Sequence, residues 1–135
     1  MVNGSKPDTV LLIHGLYLTH HSWEGWIARY EQRGLKVLAP GWPGMEGPVD
    51  EQRRHTTAIA NMRVEAILEQ YERVIGTLDA PPIVIGHSFG GAFMQVLVSR
   101  GLAAVGVGIA YRIGANVSVR TTSVWAGIVT IAGRA

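Results

Sequence analysis

Continuous apolar runs alternate with segments of helical spacing along the first 110 residues. The apolar runs are found in "TVLLIHG", "KVLAP", "IVIG" and "AAVGVGIA". Continuous rather than alternating apolarity is typical of strands that are covered on both faces, as in parallel sheets. The helical segments between them are "HHSWEGWIARYEQRG", residues 57–78 and "FGGAFMQVLVSRG". This strand–helix alternation predicts an α/β fold of βαβ units with right-handed crossovers and a mostly parallel sheet.

Aromatic residues dominate the predicted inward face of the first helix. Trp23, Trp26, Ile27 and Tyr30 are spaced i, i+3, i+4 and i+7, which is one stripe of a helix. We therefore predict Trp23, Trp26 and Tyr30 as core residues. Trp42 lies in the loop "GWPG", and its position leaves two alternatives open: it lines a substrate pocket at the sheet edge, or it caps the core.

The last 25 or so residues follow a different pattern. Residues 111–135 are rich in glycine and β-branched residues and have no helical period. Two alternatives remain open for this tail, namely one or two extra strands or a poorly ordered segment. With 135 residues the chain is long enough for one domain. We expect residues 1–110 to form the N-terminal part of that domain and residues 111–135 to be an atypical tail.

Composition excludes several classes of protein. The chain is 47% hydrophobic and 16% charged, which argues against disorder. It has no cysteine, which excludes disulfides and cysteine-based metal sites and leads us to expect a cytoplasmic protein. No segment is typical of a signal peptide or of a membrane span, which needs roughly 18 to 20 apolar residues. The arginines of residues 89–135 are scattered, so we expect no nucleic-acid partner.

The stretch "IVIGHSFGGA" carries the clearest chemical signal. Gly86, Ser88 and Gly90 form a Gly-x-Ser-x-Gly run between a buried strand and a helix, which is the pattern of a nucleophile elbow. The chain must reverse within two residues, so we expect Ser88 to have a positive φ. Side chains at either glycine would collide across so tight a turn. The alternative is a structural strand-to-helix turn that merely contains a serine.

Three segments together resemble a known family. "VLLIHGLYLTHHSW", "VLAPGWPG" and "PPIVIGHSFGGAF" are similar to the α/β-hydrolase family, specifically its esterase and lipase-like members, in order over about residues 9–109. The resemblance implies a partial α/β-hydrolase fold with helices on both faces of the sheet. The four strands would correspond to the third to sixth of that fold, with the fourth beside the third, followed by the fifth and sixth.

The resemblance also implies a set of site residues. Ser88 would be the nucleophile toward a small-molecule ester-type substrate and would form an acyl-enzyme. The backbone N–H of Phe89 and that of Leu16 or the adjacent Tyr17 would form the oxyanion hole. The remaining implied residues support these motifs: His14, Gly15, Gly86 and Gly90.

In this family, the acid and the histidine of the catalytic triad follow the serine in the chain, and this chain has no counterpart of either after Ser88. The family's chain order is Ser, then Asp or Glu, then His. Residues 89–135 contain no Asp, Glu or His. We therefore expect a C-terminally truncated or frame-disrupted hydrolase with impaired activity. The alternative is a non-catalytic remnant or binding module that retains a hydrolase-like fold.

The histidines before the elbow do not replace the missing base. His87 should point to the opposite side of the elbow from Ser88. We expect His14 to hold the oxyanion loop, and His20 and His21 to occupy the surface or the start of a helix. Both lie at the same edge of the sheet as Ser88, and one of them could approach it. The sequence, however, shows no acid that would orient such a histidine as a base. His55 is expected in a solvated loop.

No cofactor or metal ion is implied. The run "GVGIAY" has Tyr111 where a dinucleotide motif needs its third glycine, and "GHSFGG" lacks the lysine of a phosphate loop.

The strand "AAVGVGIA" becomes an apolar edge of the sheet when no seventh strand follows it. We expect self-association through that edge unless "NVSV" or "GIVTIA" covers it.

Overall fold

Six strands form one sheet in the part of the chain that the computed structural model describes, which comprises residues 6–16, 18–54, 57–110, 120–125 and 128–132. The strands are β1 (Thr9–Ile13), β2 (Lys36–Leu38), β3 (Ile83–His87), β4 (Val105–Ile109), β5 (Arg120–Trp125) and β6 (Ile128–Ala132). The helices are α1 (Glu24–Glu31), α2 (Val49–Arg54), α3 (Thr57–Ala60), α4 (Val64–Gly76) and α5 (Phe89–Ser99), and a short 3-10 helix (His20–Trp23) precedes α1.

The strand order is β2-β1-β3-β4-β6-β5. The first four strands in this order are parallel to one another. The order of these four confirms the prediction of a mostly parallel sheet with the fourth family strand beside the third. Because the strands are parallel, the segments that follow β1 and β3 emerge at the same edge of the sheet.

The described part of the tail adds two antiparallel strands. β6 pairs with β4, with Ile128 opposite Ile109 and Ala132 opposite Val105, and β5 pairs with the other side of β6. Residues 128–132 of "GIVTIA" therefore cover β4, and "NVSV" lies outside the described residues. The division of the chain at residue 110 remains a prediction.

Helices lie on both faces of the sheet, as the resemblance implied. Alternate residues of β1 point to opposite faces, and all five are buried, which agrees with the continuous apolar pattern. On one face, α4 and α5 pack against the strands through a cluster that includes Leu11, Ile13, Val84, Tyr71 and Phe93. On the other face, α1 and the 3-10 helix pack against the strands through a cluster that includes Val10, Leu12, Ile85 and Trp23.

Two details differ from the sequence predictions. Trp23 is buried, but Trp26 is 41% exposed, so its prediction as a core residue was wrong. Trp23 lies in the 3-10 helix, where each residue turns by a larger angle about the axis than in an α-helix. The residues after Trp23 are therefore rotated relative to it, and the i, i+3 spacing no longer brings Trp26 to the same buried side. The helix predicted over residues 57–78 is broken by Arg63, which is extended at φ −108° and ψ 137°. None of the helices in the described ranges is both long and apolar enough to cross a membrane.

Candidate active site

Ser88 occupies a sharp turn between β3 and α5. Its backbone has φ 52° and ψ −118°, which confirms the expected positive φ and lies in a region that L-residues rarely adopt. The N–H of Ser88 donates to the carbonyl oxygen of Ile109 at 2.9 Å, and the carbonyl of Ser88 accepts from Gly91 N–H at 2.9 Å. The turn leaves Ser88 exposed at the carboxyl end of the central strand.

The two glycines of the elbow allow its backbone segments to approach closely. A Cβ atom at Gly86 would collide with the carbonyl group of Gly90, and one at Gly90 would collide with the carbonyl of Ile13. Both obstacles are backbone atoms, which no side-chain rotation can move. This is the collision across the turn that the sequence predicted, and it brings the start of α5 against the end of β1.

His14 connects the end of β1 to the loop that carries Trp42. Trp42 N–H donates to His14 Nε2 at 3.2 Å, so Nδ1 carries the ring proton and donates to the carbonyl oxygen of Gly15 at 2.9 Å. The indole of Trp42 stacks on the imidazole with ring centroids 4.8 Å apart. Burial lowers the pKa of His14 below its ordinary value of 6.5, which keeps the ring neutral.

These contacts place His14 and Gly15 beside the elbow. A Cβ atom at Gly15 would lie 3.2 Å from Ser88 Cβ, so the two backbones pass close to each other. Gly15 also accepts a hydrogen bond from Leu18 N–H at 3.2 Å, which closes a turn with Leu16 exposed within it. Both ring nitrogens of His14 are engaged, so this histidine has no free nitrogen to accept a proton from Ser88.

The two described candidates for the oxyanion hole are Leu16 and Phe89. Phe89 is the first residue of α5, where the backbone N–H groups have no acceptor within the helix. Within the described ranges, no backbone acceptor is found for the N–H of Leu16 or Phe89. The N-terminus of α5 also favours negative charge near Phe89. Tyr17, the alternative to Leu16, lies outside the described residues.

The remaining described histidines do not bond to Ser88. Its hydroxyl has no hydrogen-bond partner among the described residues. His20 Nδ1 and His87 Nδ1 are buried and unpaired. His21 is exposed in the 3-10 helix that precedes α1, and its Nδ1 lies 3.0 Å from the carboxylate of Glu24. His55 lies outside the described residues.

One feature near the site was not foreseen from the sequence, and one alternative that the sequence left open is decided by the structure. Glu24 is an acid partner for His21, and the signal that points to it is the i, i+3 spacing at the start of a helix. Trp42 is 2% exposed, so of its two alternatives the structure favours the core, where it packs against Phe93 with the rings edge to face. The described residues contain no group of three or more side chains arranged to hold a metal ion.

The fold and the elbow define a class of protein that a family comparison also finds. The model of the α/β hydrolase family matches residues 10–133. The chain therefore belongs to the α/β hydrolase family. A search against curated protein sequences gave no significant match.

Solved structures with the same fold include two hydrolases and a methylketone synthase. An extracellular α/β-hydrolase from a Paenibacillus species is 26% identical over 70% of this chain, with a TM-score of 0.54. A pyrethroid hydrolase from Sphingobium faniae is 24% identical over 68% of the chain, with a TM-score of 0.54. Tomato methylketone synthase I is 16% identical over 77% of the chain, with a TM-score of 0.60. The chain spans 36%, 34% and 40% of their lengths, respectively.

Proposed function

We propose that the chain is a serine hydrolase that cleaves an ester-type bond of a small molecule through an acyl-enzyme on Ser88. The observation that carries this proposal is the strained, exposed position of Ser88 between β3 and α5. A positive φ at a non-glycine residue costs about 1–3 kcal/mol and persists mainly where function requires it. The related pyrethroid hydrolase and Paenibacillus hydrolase support hydrolysis as the type of reaction.

The first step would be attack of Ser88 Oγ on the ester carbonyl. The bond from Oγ to the carbonyl carbon forms, and the carbonyl π electrons move to oxygen and give an oxyanion. When these electrons re-form the carbonyl, the C–O bond to the alcohol breaks, and the alcohol leaves with a proton from solvent. Water then attacks the acyl-enzyme in the same way and releases the acid and Ser88. The N–H groups of Phe89 and Leu16 would stabilise the oxyanion, and Tyr17 is the alternative to Leu16. His14 acts indirectly in this proposal, because its bond to the Gly15 carbonyl positions the loop before Leu16.

Loss of the serine proton is the step that this chain assists least. No described side chain accepts a hydrogen bond from Ser88 Oγ, and in this proposal the proton passes to solvent. An enzyme that keeps its oxyanion hole but lacks triad members still accelerates hydrolysis by about 10³–10⁴-fold over water. We therefore expect impaired but measurable reaction at Ser88.

Labelling with a fluorophosphonate probe tests the proposal, with hydrolysis of p-nitrophenyl butyrate measured in parallel. The expected result is a mass increase at Ser88 of the wild-type chain, with slow release of p-nitrophenol. The Ser88→Ala variant should show neither. Equal labelling or equal turnover by the wild type and the variant would contradict a role for Ser88 as nucleophile.

A second candidate function is a non-catalytic remnant or binding module with a hydrolase-like fold. The observation that favours it is that the Ser88 hydroxyl has no hydrogen-bond partner in the described part of the chain. An unlabelled wild-type chain that is folded by circular dichroism would support this candidate. We also propose a cytoplasmic location, which rests on the cysteine-free composition alone and is tested by cell fractionation.

A further inference from the structure

Two exposed apolar side chains flank the proposed nucleophile. Leu16 directly follows Gly15 and is 41% exposed, and Phe89 directly follows Ser88 and is 45% exposed. Both residues lie next to Ser88 in the backbone: Phe89 follows it in the chain, and Leu16 follows Gly15, where an added Cβ would lie 3.2 Å from Ser88 Cβ. Large apolar side chains are usually buried, so two of them exposed at one edge indicate a surface for an apolar ligand.

The Phe89 ring packs against two other aromatic rings. It contacts Phe93 with centroids 5.5 Å apart at 74°, and Trp42 with centroids 6.3 Å apart at 60°. Trp42 and Phe93 are each 2% exposed, so they fill the core beneath Phe89. Trp42 is itself held by its stacking on His14. The ring of Phe89 is therefore a supported aromatic surface of limited mobility next to Ser88.

The helix that begins at Phe89 carries no charge: α5, from Phe89 to Ser99, has no charged residue. A carboxylate or ammonium group placed against the Phe89 ring would lose hydration without gaining an ion pair from α5. For a carboxylate, the favourable field at the N-terminus of α5, about 0.3–1 kcal/mol, offsets only part of that loss. An uncharged group gains from the same contact. The surface thus discriminates by charge as well as by shape.

We propose that the substrates carry an uncharged aromatic ring next to the scissile carbonyl, and that Phe89 binds this ring while Leu16 provides a second apolar contact. This inference rests on the proposed function, and it makes Phe89 the residue that determines specificity. Aromatic pairs prefer offset-stacked or edge-to-face arrangements, which a supported ring offers at little entropic cost.

Three fluorophosphonates that differ in one substituent test this proposal: benzyl, n-butyl and carboxybutyl. Each reacts by forming the bond between Ser88 Oγ and phosphorus as fluoride leaves, and intact-mass spectrometry gives the rate. We expect the benzyl probe to react about tenfold faster than the butyl probe, as the size of aromatic pair energies indicates. The carboxybutyl probe should react slowest.

Variants assign the preference to Phe89. In Phe89→Leu, which keeps an apolar side chain and the backbone N–H, the benzyl-to-butyl ratio should fall to about one. The matched control is Trp26→Leu on α1, which removes an aromatic ring of similar exposure (41%) and should keep the wild-type ratio. A ratio that is unchanged in Phe89→Leu, or a wild-type rate for butyl equal to that for benzyl, overturns the proposal.

A binding measurement separates this proposal from the proposed function. If no probe modifies Ser88, the nucleophile assignment fails, and titration with acetophenone and 2-hexanone in the Ser88→Ala variant then tests the surface alone. Tighter binding of acetophenone, lost when Phe89→Leu is added, supports the aromatic surface without catalysis. Equal binding of the two ketones, or equal binding with and without Phe89→Leu, overturns it.

Discussion

The backbone N–H of Ser88 donates a hydrogen bond to the carbonyl oxygen of Ile109 across the end of the β3–β4 pair. This bond holds Ser88 at φ 52° and ψ −118°, a conformation that costs an L-residue about 1–3 kcal/mol. We predict that Ser88→Gly unfolds at a higher urea concentration than Ser88→Ala, because glycine removes the strain and alanine keeps it. Both variants lack the hydroxyl, so the comparison isolates the backbone.

Ser99 provides the matched control, because it is the last residue of α5 and has an ordinary helical backbone. There the order should reverse, with the glycine variant less stable than the alanine variant by about 0.5–1 kcal/mol. A Ser88→Ala variant as stable as Ser88→Gly would show that the turn stores no strain.

The elbow glycines lead to a second prediction. Gly90→Ala should lower the free energy of unfolding by about 1–3 kcal/mol or more, because the new Cβ meets the backbone of Ile13 and His14. Gly25→Ala on α1 is the control, since a Cβ there meets nothing within 4 Å, and it should stabilise the protein by about 0.5–1 kcal/mol. Urea denaturation of both variants decides the matter, and similar effects at the two positions would contradict the close packing of the elbow.

The sequence predicted the parts of this fold that strong local constraints determine. Continuous apolar runs identified the four parallel strands, and the elbow glycines predicted the conformation of Ser88, since few residue types satisfy these environments. The pattern did not predict the exposure of Trp26. Apolar spacing assumes a constant turn per residue, and the 3-10 helix that contains Trp23 breaks that assumption.

Features that depend on distant segments were also missed or left open. The antiparallel pairing of β6 with β4 joins residues from 19 positions apart (Ile109 and Ile128) to 27 positions apart (Val105 and Ala132), and no local pattern distinguishes it from pairing by "NVSV". Likewise, the stacking of Trp42 on His14 depends on how the loop after β2 folds back toward β1. Sequence reasoning therefore located the turn at Ser88 but not the aromatic packing beside it.

The buried imidazole of His14 makes stability depend on pH. Burial lowers its pKa in the folded chain below the ordinary value of 6.5. Above pH 6.5 the ring is neutral in both states, whereas below it the unfolded chain binds a proton that the folded chain excludes. The unfolded state then holds more protons, so this contribution to stability falls as pH falls, by at most about 1.4 kcal/mol per pH unit.

The His14→Asn variant tests this pH dependence. The wild type should lose more stability than the variant between pH 7.5 and pH 5.5, as measured by urea denaturation at several pH values. Trp26→Leu, which changes an exposed side chain without a titratable group, should retain the wild-type pH profile. Parallel profiles for the wild type and His14→Asn would mean that His14 does not exclude a proton on folding.

The exposed pair of His21 and Glu24 is expected to be dispensable for reaction at Ser88. Their side chains are 44% and 74% exposed, and exposed ion pairs contribute about 0–1 kcal/mol. His21→Ala and Glu24→Gln should each change the rate of fluorophosphonate labelling by less than about twofold. A loss of more than about tenfold in both variants would instead identify His21 as a base that Glu24 orients.

The cover that β6 gives to β4 should keep the chain from associating through that strand. Deletion of residues 111–135 would leave β4 as the edge, with the unpaired backbone groups that previously paired with Ile128–Ala132. An apolar edge strand is a template for pairing with another chain. We therefore expect the deleted chain to form dimers or larger species at micromolar concentration, as measured by size-exclusion chromatography with light scattering.

A second variant combines the same deletion with Val107→Lys and tests the cause of the association. A charge on the new edge opposes pairing and should restore the monomer. A monomeric deletion variant without this substitution would show that β4 needs no cover.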